Sequence, residues 1–254
     1  MTDRRRRRPP SLPVRLLLTP WLLLLLCWLG LLSLAWNLVA VLLYPLLPEA
    51  RGRAVGQAGV AGVYRLFWAS ARLSGLLRID NDALAALRDE PGGLILAANH
   101  PSLLDALVIV ARVPRTVCIM KASLMDNVFL GAGARLARYI ANDSPRHMIR
   151  SAVERLKAGD HLVLFPEGTR SPSPTAIHPL RPGITLMAQR AGVPIQTVLI
   201  ETDSPYARKG WPLWRLPPLP VVFRVRLGAR FTPETDHEAL RQRVQAYFTQ
   251  ELAR

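Results

Sequence analysis

Between Arg15 and Glu49 the chain carries no charged side chain. Residues 16–48 are mostly leucine, valine, alanine and tryptophan. A helix crosses the hydrocarbon core of a bilayer with about 20 apolar residues, so this stretch is long enough and too apolar to be left in water. It also far exceeds the apolar core of a secretory signal, and no small-residue cleavage site follows it. A permanent membrane segment is therefore expected over 16–48. As one straight helix it would be about 50 Å long at 1.5 Å per residue, more than a bilayer core needs without tilt. Gly30, Ser33 and Asn37 interrupt it, and Pro20, Pro45 and Pro48 punctuate its ends. Arg4 to Arg8 precede it, and Arg51 and Arg53 follow it. Basic flanks stay on the cytoplasmic side. Two such flanks imply a hairpin that enters and leaves on one side; a single span is the other reading. Residues 1–15 read as a disordered basic tail. The expected location is the inner (cytoplasmic) membrane, with the remainder of the chain, 50–254, facing the cytoplasm.

The formal charge is +15. The first 53 residues hold eight basic and two acidic side chains, a net of +6, which leaves +9 for the rest. Such a balance speaks about partners rather than fold. It suits an anionic membrane surface, at about 1 kcal/mol per basic residue near the lipid, and it suits an acidic or phosphorylated substrate. Half the residues are apolar, no nucleic-acid module is recognisable, and a nucleic-acid partner is not expected. Cys27 and Cys118 are far apart, in apolar surroundings, without a CxxC or Cys/His cluster. Neither a metal site nor a disulfide framework is indicated.

Beyond the membrane segment, residues 50–75 show the 3.6-residue periodicity of an amphipathic helix, with Val60, Val63, Phe67 and Ala71 on one side. Short apolar runs then alternate with helical patterns. Strands are expected at 76–80, 93–98, 116–120, 161–165, 194–200 and 220–227. Helices are expected at 102–110, 128–139, 146–157, 183–190 and 235–252, the fifth opened by a Thr235/Glu238 capping box. Gly159 and Gly192 stand where left-handed residues stop helices. This alternation predicts an α/β domain: a mixed, largely parallel sheet flanked by helices, behind an N-terminal membrane-embedded helical segment. Residues 204–220 break the rhythm. Trp211 and Trp214 stand there among Arg208, Lys209 and Arg215, as a headgroup-layer contact or as a rigid loop packed on the domain.

Two stretches carry chemistry. "NHPSLLD" holds His100 and Asp105, five apart, at the exit of a buried strand. Five residues on a regular helix would set the two on different faces. His100 precedes the helix, however, and a turn at Pro101 brings the imidazole back over Asp105. The carboxylate then accepts from one ring nitrogen and leaves the other as a base. The competing reading is that Ser102 and Asp105 only cap the helix. "FPEGTRS", residues 165–171, follows a second buried strand, and such strands aim their carboxyl ends at ligands. There Glu167, Gly168, Thr169 and Arg170 combine a tight turn, backbone N–H groups and a guanidinium fork suited to phosphate.

Together, "NHPSLLD" and "FPEGTRS" about 60 residues later resemble the glycerophospholipid acyltransferase family, of the lysophosphatidic acid (1-acylglycerol-3-phosphate) acyltransferase type. The likeness runs from about Leu76 to Leu227 and includes "KASLMDNVFLGAGARLARYI", opened by Lys121, and "GVPIQTVLI". It implies an enzyme that moves an acyl group from a thioester, acyl-CoA or acyl carrier protein, to a lipid hydroxyl. His100 would act as general base and Asp105 would orient it. Glu167, Gly168, Thr169, Arg170 and Lys121 would hold the acceptor. No cofactor, metal or acyl-enzyme intermediate is implied. The chain departs from the family where an arginine usually helps hold the acceptor phosphate: Ala141, Asn142 and Asp143 stand there, with Arg138, Arg146 and Arg150 nearby. Thr197 stands where a proline is frequent. A non-phosphate acceptor is the alternative these departures open, and a non-catalytic lipid-binding protein is the alternative outside enzymes. His178 is a candidate acceptor contact; His147, His161 and His237 read as structural.

Overall fold

The computed structural model describes residues 11–253. The first ten residues of the expected basic tail lie outside them. Of the next five, Leu12 to Arg15 do not form a tail, because helix α1 spans Leu12–Leu46 without a break. Its length and composition suffice to cross a membrane. The chain reverses at Leu47-Pro48 and returns as α2, Glu49–Leu73. A hairpin folded inside residues 16–48 is therefore not formed; the hairpin is made by α1 with α2. The apolar run offers no stop within it, and Pro20 is carried inside the helix, whereas Pro48 ends it. Indole N–H groups mark the antiparallel pairing: Trp21 donates to the Ser74 carbonyl at 3.3 Å and Trp28 to the Ser70 hydroxyl at 3.1 Å.

The α/β domain follows as β1 (Leu77–Asp80), β2 (Leu94–Ala98), α3 (Asp105–Val110), β3 (Thr116–Lys121), α4 (Gly131–Leu136), β4 (Ile140–Asn142), α5 (Pro145–Lys157), β5 (His161–Leu164), α6 (Gly183–Ala191), β6 (Ile195–Glu201), β7 (Val221–Phe231) and α7 (His237–Ala253). The seven strands form one sheet in the order β1-β7-β6-β2-β5-β3-β4. Every pairing is parallel except β6 with β7. This is the mixed, largely parallel sheet that the alternation predicts.

The central strands are apolar on both faces because helices cover both. Leu94, Leu96 and Ala98 of β2 point into a core with Phe67 and Trp68 of α2 and Val108 and Ile109 of α3. Ile95 and Ala97 point the other way, against Leu156, Ala188, Val244 and Phe248 of α5, α6 and α7. Each fully buried leucine or isoleucine contributes roughly 1.5–3 kcal/mol. The parallel strands end together at one edge, and β2 and β5 deliver the two motifs there side by side.

Several boundaries differ from expectation: β7 runs on to Phe231 and α3 begins only at Asp105. The pattern over 128–139 yields only Gly131–Leu136 as helix, because the Val128 carbonyl is taken by the Asn37 side chain of α1 at 2.7 Å. "IAN", 140–142, is a short edge strand that the periodicity does not announce. At α7, the Asp236 carboxylate rather than Thr235 caps the helix, accepting from the N–H groups of Glu238 and Ala239 at 3.0 Å each.

Candidate active site

β2 ends at Ala98, and the chain turns sharply through Asn99 and His100 before α3 begins. The Asn99 side chain locks the turn to β6, donating to the Ile200 carbonyl at 2.9 Å and accepting from its N–H at 2.7 Å. The turn lays the His100 ring back over the first residue of α3. Its Nδ1 lies 2.9 Å from Asp105 Oδ2. The same oxygen accepts the Ser102 N–H at 2.7 Å. One carboxylate oxygen thus meets both the imidazole and the backbone of the turn that precedes α3.

Asp105 is fully buried, and its Oδ1 has no hydrogen-bond partner. Burial pushes its carboxyl up to about 6, against the opposing pull of the His100 and Ser102 bonds. A proton on Nδ1, donated to the carboxylate, leaves Nε2 as the ring nitrogen able to accept one. The imidazole keeps 19% of its surface open. Its ring stacks on Phe165 with centroids 4.0 Å apart and planes 19° from parallel. That contact joins the first motif to the second and fixes the ring's tilt.

Glu167 faces inward. Only 3% of it is exposed. Its Oε1 accepts the His100 N–H at 3.2 Å and the Ser171 hydroxyl at 2.5 Å; its Oε2 accepts the His178 N–H at 2.9 Å. Ser171 closes the circuit, its Oγ accepting the His100 N–H at 3.0 Å and its own N–H donating to the His100 carbonyl at 2.8 Å. Gly168 sits at φ +69, a backbone that strains any larger residue, and a Cβ there would also have to displace the Arg181 side chain, whose Nε would lie 2.3 Å away. Thr169 and Arg170 are partly exposed at the same edge. Arg170 donates to the Ala207 carbonyl at 2.9 Å, and the Leu103 N–H donates to the same oxygen at 3.0 Å. Lys121 is the exposed last residue of β3, in register with Asn142.

The structure thus brings His100, Asp105 and the 167–171 turn into one hydrogen-bonded unit. Lys121 stands at the same edge two strands away in the sheet order. His178 enters through its backbone. Sequence reasoning left Ser171, Phe165 and Ala207 without roles. The first two stand inside the second motif and were legible as neighbours; Ala207 lies in the 204–220 loop and gives no local signal. That loop divides its tryptophans. Trp211 packs on the core and lies under Arg215 at 4.6 Å, while Trp214 is 69% exposed. His161 is buried beside Arg115, and its pKa is held down by that burial first and by the guanidinium second.

The three arginines near the family's missing one divide as well. Arg146 and Arg150 are exposed on α5. Arg138 precedes β4 at the amino end of its strand, away from the edge that carries His100.

One buried strand ends in a histidine beside a carboxylate, and its neighbour ends in a Glu-Gly-Thr-Arg turn. Residues 81–201 match the model of the Acyltransferase family. The relatives are more particular. A 1-acyl-sn-glycerol-3-phosphate acyltransferase of Helicobacter pylori is 27% identical over 117 residues, which take in 44% of this chain and 49% of that protein. The chain therefore spans about half the length of that curated relative. Among solved structures, the fold is similar to that of the 1-acyl-sn-glycerophosphate (LPA) acyltransferase PlsC from Thermotoga maritima, with a TM-score of 0.66 and 21% identity. That likeness of fold covers 94% of this chain and 96% of the other.

Proposed function

We propose that the chain is a membrane-bound O-acyltransferase. It moves a fatty acyl group from an acyl thioester to the hydroxyl of a lysophospholipid or similar lipid. The observation that carries this reading is the 2.9 Å contact between His100 Nδ1 and Asp105 Oδ2, which leaves Nε2 as the base at the open edge of the sheet. The acceptor's O–H proton passes to Nε2 while its oxygen attacks the thioester carbonyl carbon. The tetrahedral adduct then expels the thiolate, and Nε2 returns the proton to it. Asp105 keeps Nδ1 protonated and stabilises the imidazolium that forms between the two steps. No acyl-enzyme forms. Glu167 is assigned a positioning role, because both its oxygens are spent on backbone and Ser171. Arg170, Thr169 and Lys121, with the Gly168 turn, are assigned to the acceptor's polar headgroup. The donor is acyl-CoA or acyl carrier protein, both acidic enough to suit the positive charge.

Membrane placement follows from α1, whose Leu16, Leu17, Leu24, Leu31, Leu38 and Leu42 are exposed. An apolar surface of that size is stable only against lipid or protein. The basic flanks favour the inner membrane with the catalytic domain on the cytoplasmic side.

The acceptor admits a second reading. Asp143 stands exposed past the end of β4 where a phosphate-holding arginine is usual, with His147 Nδ1 at 3.1 Å. A carboxylate there disfavours a phosphate and favours a neutral or amino lipid acceptor.

The test supplies radiolabelled acyl thioester with a panel of lysophospholipids and non-phosphate lipids. Labelled lipid product is expected from the wild type, with turnover down on the order of 10²–10⁴-fold in His100→Ala and thermal unfolding unchanged. Equal turnover in the variant, or free fatty acid as the only product, would overturn the assignment.

A further inference from the structure

A cavity of about 340 Å³ lies at the opposite margin of the sheet from β1, against the edge strand β4. It is walled by the α1–α2 turn, the end of α4, β4 and the outer face of α5. Two strands, β5 and β3, separate β4 from the strand that delivers His100. At about 4.8 Å per strand, the cavity stands roughly 14 Å or more to the side of the catalytic histidine. It is not part of the site described above.

Its charged lining consists of Arg135, Arg138, Arg155 and His147, with Glu49 and Glu154 opposing them. Arg135 donates to the Met125 carbonyl and has Asp126 at 3.8 Å. Arg155 has Asp160 at 3.8 Å. Arg138 faces a carboxylate at the same distance as these two, and differs from them in its backbone, its ring contact and an unmet Nε. It holds a left-handed backbone at φ +60, a conformation that costs a β-carbon-bearing residue of order 1 kcal/mol or more. Its guanidinium carbon lies 5.7 Å from the centroid of the Tyr44 ring. Its Nε is buried and has no hydrogen-bond partner among the described residues. The Glu49 carboxylate stands 3.8 Å away, beyond hydrogen-bond length. A buried guanidinium N–H left unmet is the kind of group a ligand satisfies. Ser151 adds a hydroxyl to the same wall.

From this arrangement we infer a second ligand site, for the phosphate headgroup of an anionic membrane lipid. Three arginines and a serine line the one cavity, the donor set that a phosphate group requires. The position of the mouth selects the source. Tyr44 belongs to the last turn of α1, and its neighbours Leu42 and Leu46 are 67% and 74% exposed. An aromatic ring at the end of an apolar helix beside cationic side chains marks the level of lipid headgroups. A lipid bound there seats the end of α1 against the catalytic domain. The inference rests on membrane placement of α1, and it does not rest on acyl transfer.

The full-length protein is reconstituted in phosphatidylcholine bilayers with and without phosphatidylglycerol. Lipid retained after detergent extraction is counted by native mass spectrometry. Wild type is expected to retain phosphatidylglycerol over phosphatidylcholine. Arg138→Gly relieves the left-handed backbone while removing the guanidinium, so the fold is kept; it should lower phosphatidylglycerol retention about tenfold, the loss of one charge-assisted contact. Arg138→Lys, which keeps the charge and loses the fork, should fall between. Turnover of a soluble short-chain thioester should stay at the wild-type rate in Arg138→Gly, and His100→Ala should retain lipid as wild type does. Flotation with phosphatidylcholine vesicles tests the membrane placement separately. Undiminished phosphatidylglycerol retention in Arg138→Gly overturns the site. Inorganic phosphate that binds in an Arg138-dependent way, with lipid retention unmoved, overturns the headgroup and leaves a site for a soluble phosphate.

Discussion

Two aspartates are buried at the two ends of the parallel strands, and the fold treats them oppositely. Asp105, at the carboxyl end of β2, is fully buried with one oxygen bonded and the other orphaned. Asp160, just before β5 at the amino end, is 2% exposed and met on both oxygens. Arg53 donates to its Oδ2 at 2.8 Å and Gln57 to its Oδ1 at 3.1 Å, with Arg155 at 3.8 Å. Arg53 and Gln57 both belong to α2. Asp160 thus clamps the N-terminal helix pair to the sheet with its charge neutralised. Asp105 keeps an unbalanced charge beside a partly open imidazole. An under-satisfied buried carboxylate is costly to fold and useful for chemistry; a fully satisfied one is the reverse.

Neutralising Asp105 should break the contrast with the largest effect. Asp105→Asn lets Nδ1 lose its preference for the proton, and turnover should fall on the order of 10²–10⁴-fold. Stability should move the other way. The folded pKa of about 6 lies above the ordinary 3.8. The folded protein therefore binds this proton more tightly than the unfolded chain. The penalty is absent below the unfolded value, grows as the pH climbs from 3.8 towards 6, and is complete above that. Asp105→Asn should consequently be more stable than wild type by about 1–3 kcal/mol at pH 8, with the difference vanishing near pH 4 in denaturant titrations. A variant that is less stable at pH 8 would mean that the carboxylate is not strained by burial. In the wild type, activity should fall on the acid side of about pH 6, as Asp105 takes up its proton.

Asp160→Ala sharpens the comparison from the other end. It strands the partly buried Arg53 and the buried Gln57, and should cost about 2–3 kcal/mol. Turnover per folded molecule should hold. A loss of turnover larger than the loss of folded protein would tie the clamp to the chemistry. The smallest effect belongs to a surface carboxylate that only caps a helix. Asp236→Ala should cost about 1 kcal/mol by thermal melt, and Thr235→Ala much less.

The same contrast explains what was legible in the sequence. Asp105 stands five residues from His100, and the turn that unites them is local, so the pair can be read from a short window. The sheet's core strands are equally local in their apolar runs. Asp160 finds its partners more than a hundred residues earlier in the chain, and nothing around it announces Arg53 or Gln57. Glu167 was legible as part of a motif but not in its direction. Whether a carboxylate faces a ligand or its own backbone depends on where the His100 and His178 amides arrive, and those come from other segments. The break near Pro48 was legible from where the apolar run ends; that α1 runs unbroken up to it was not, because lipid-compatible composition continues past every residue that could have broken the helix earlier.

Asn37 has a mechanical consequence. In the second half of the apolar helix, its side chain donates to the Val128 carbonyl at 2.7 Å and accepts the Gly133 N–H at 2.9 Å. Further along the pair, Gly56 lets α2 lie so close to α4 that a β-carbon would come within 2.4 Å of the Ala137 nitrogen. The anchor is therefore a bracket and not a tether. A protein hung on a slack stalk samples every height above the bilayer; one bolted at two points holds its reaction centre at a single depth. Wherever α1 is seated, the His100 imidazole therefore stands at one set reach from it.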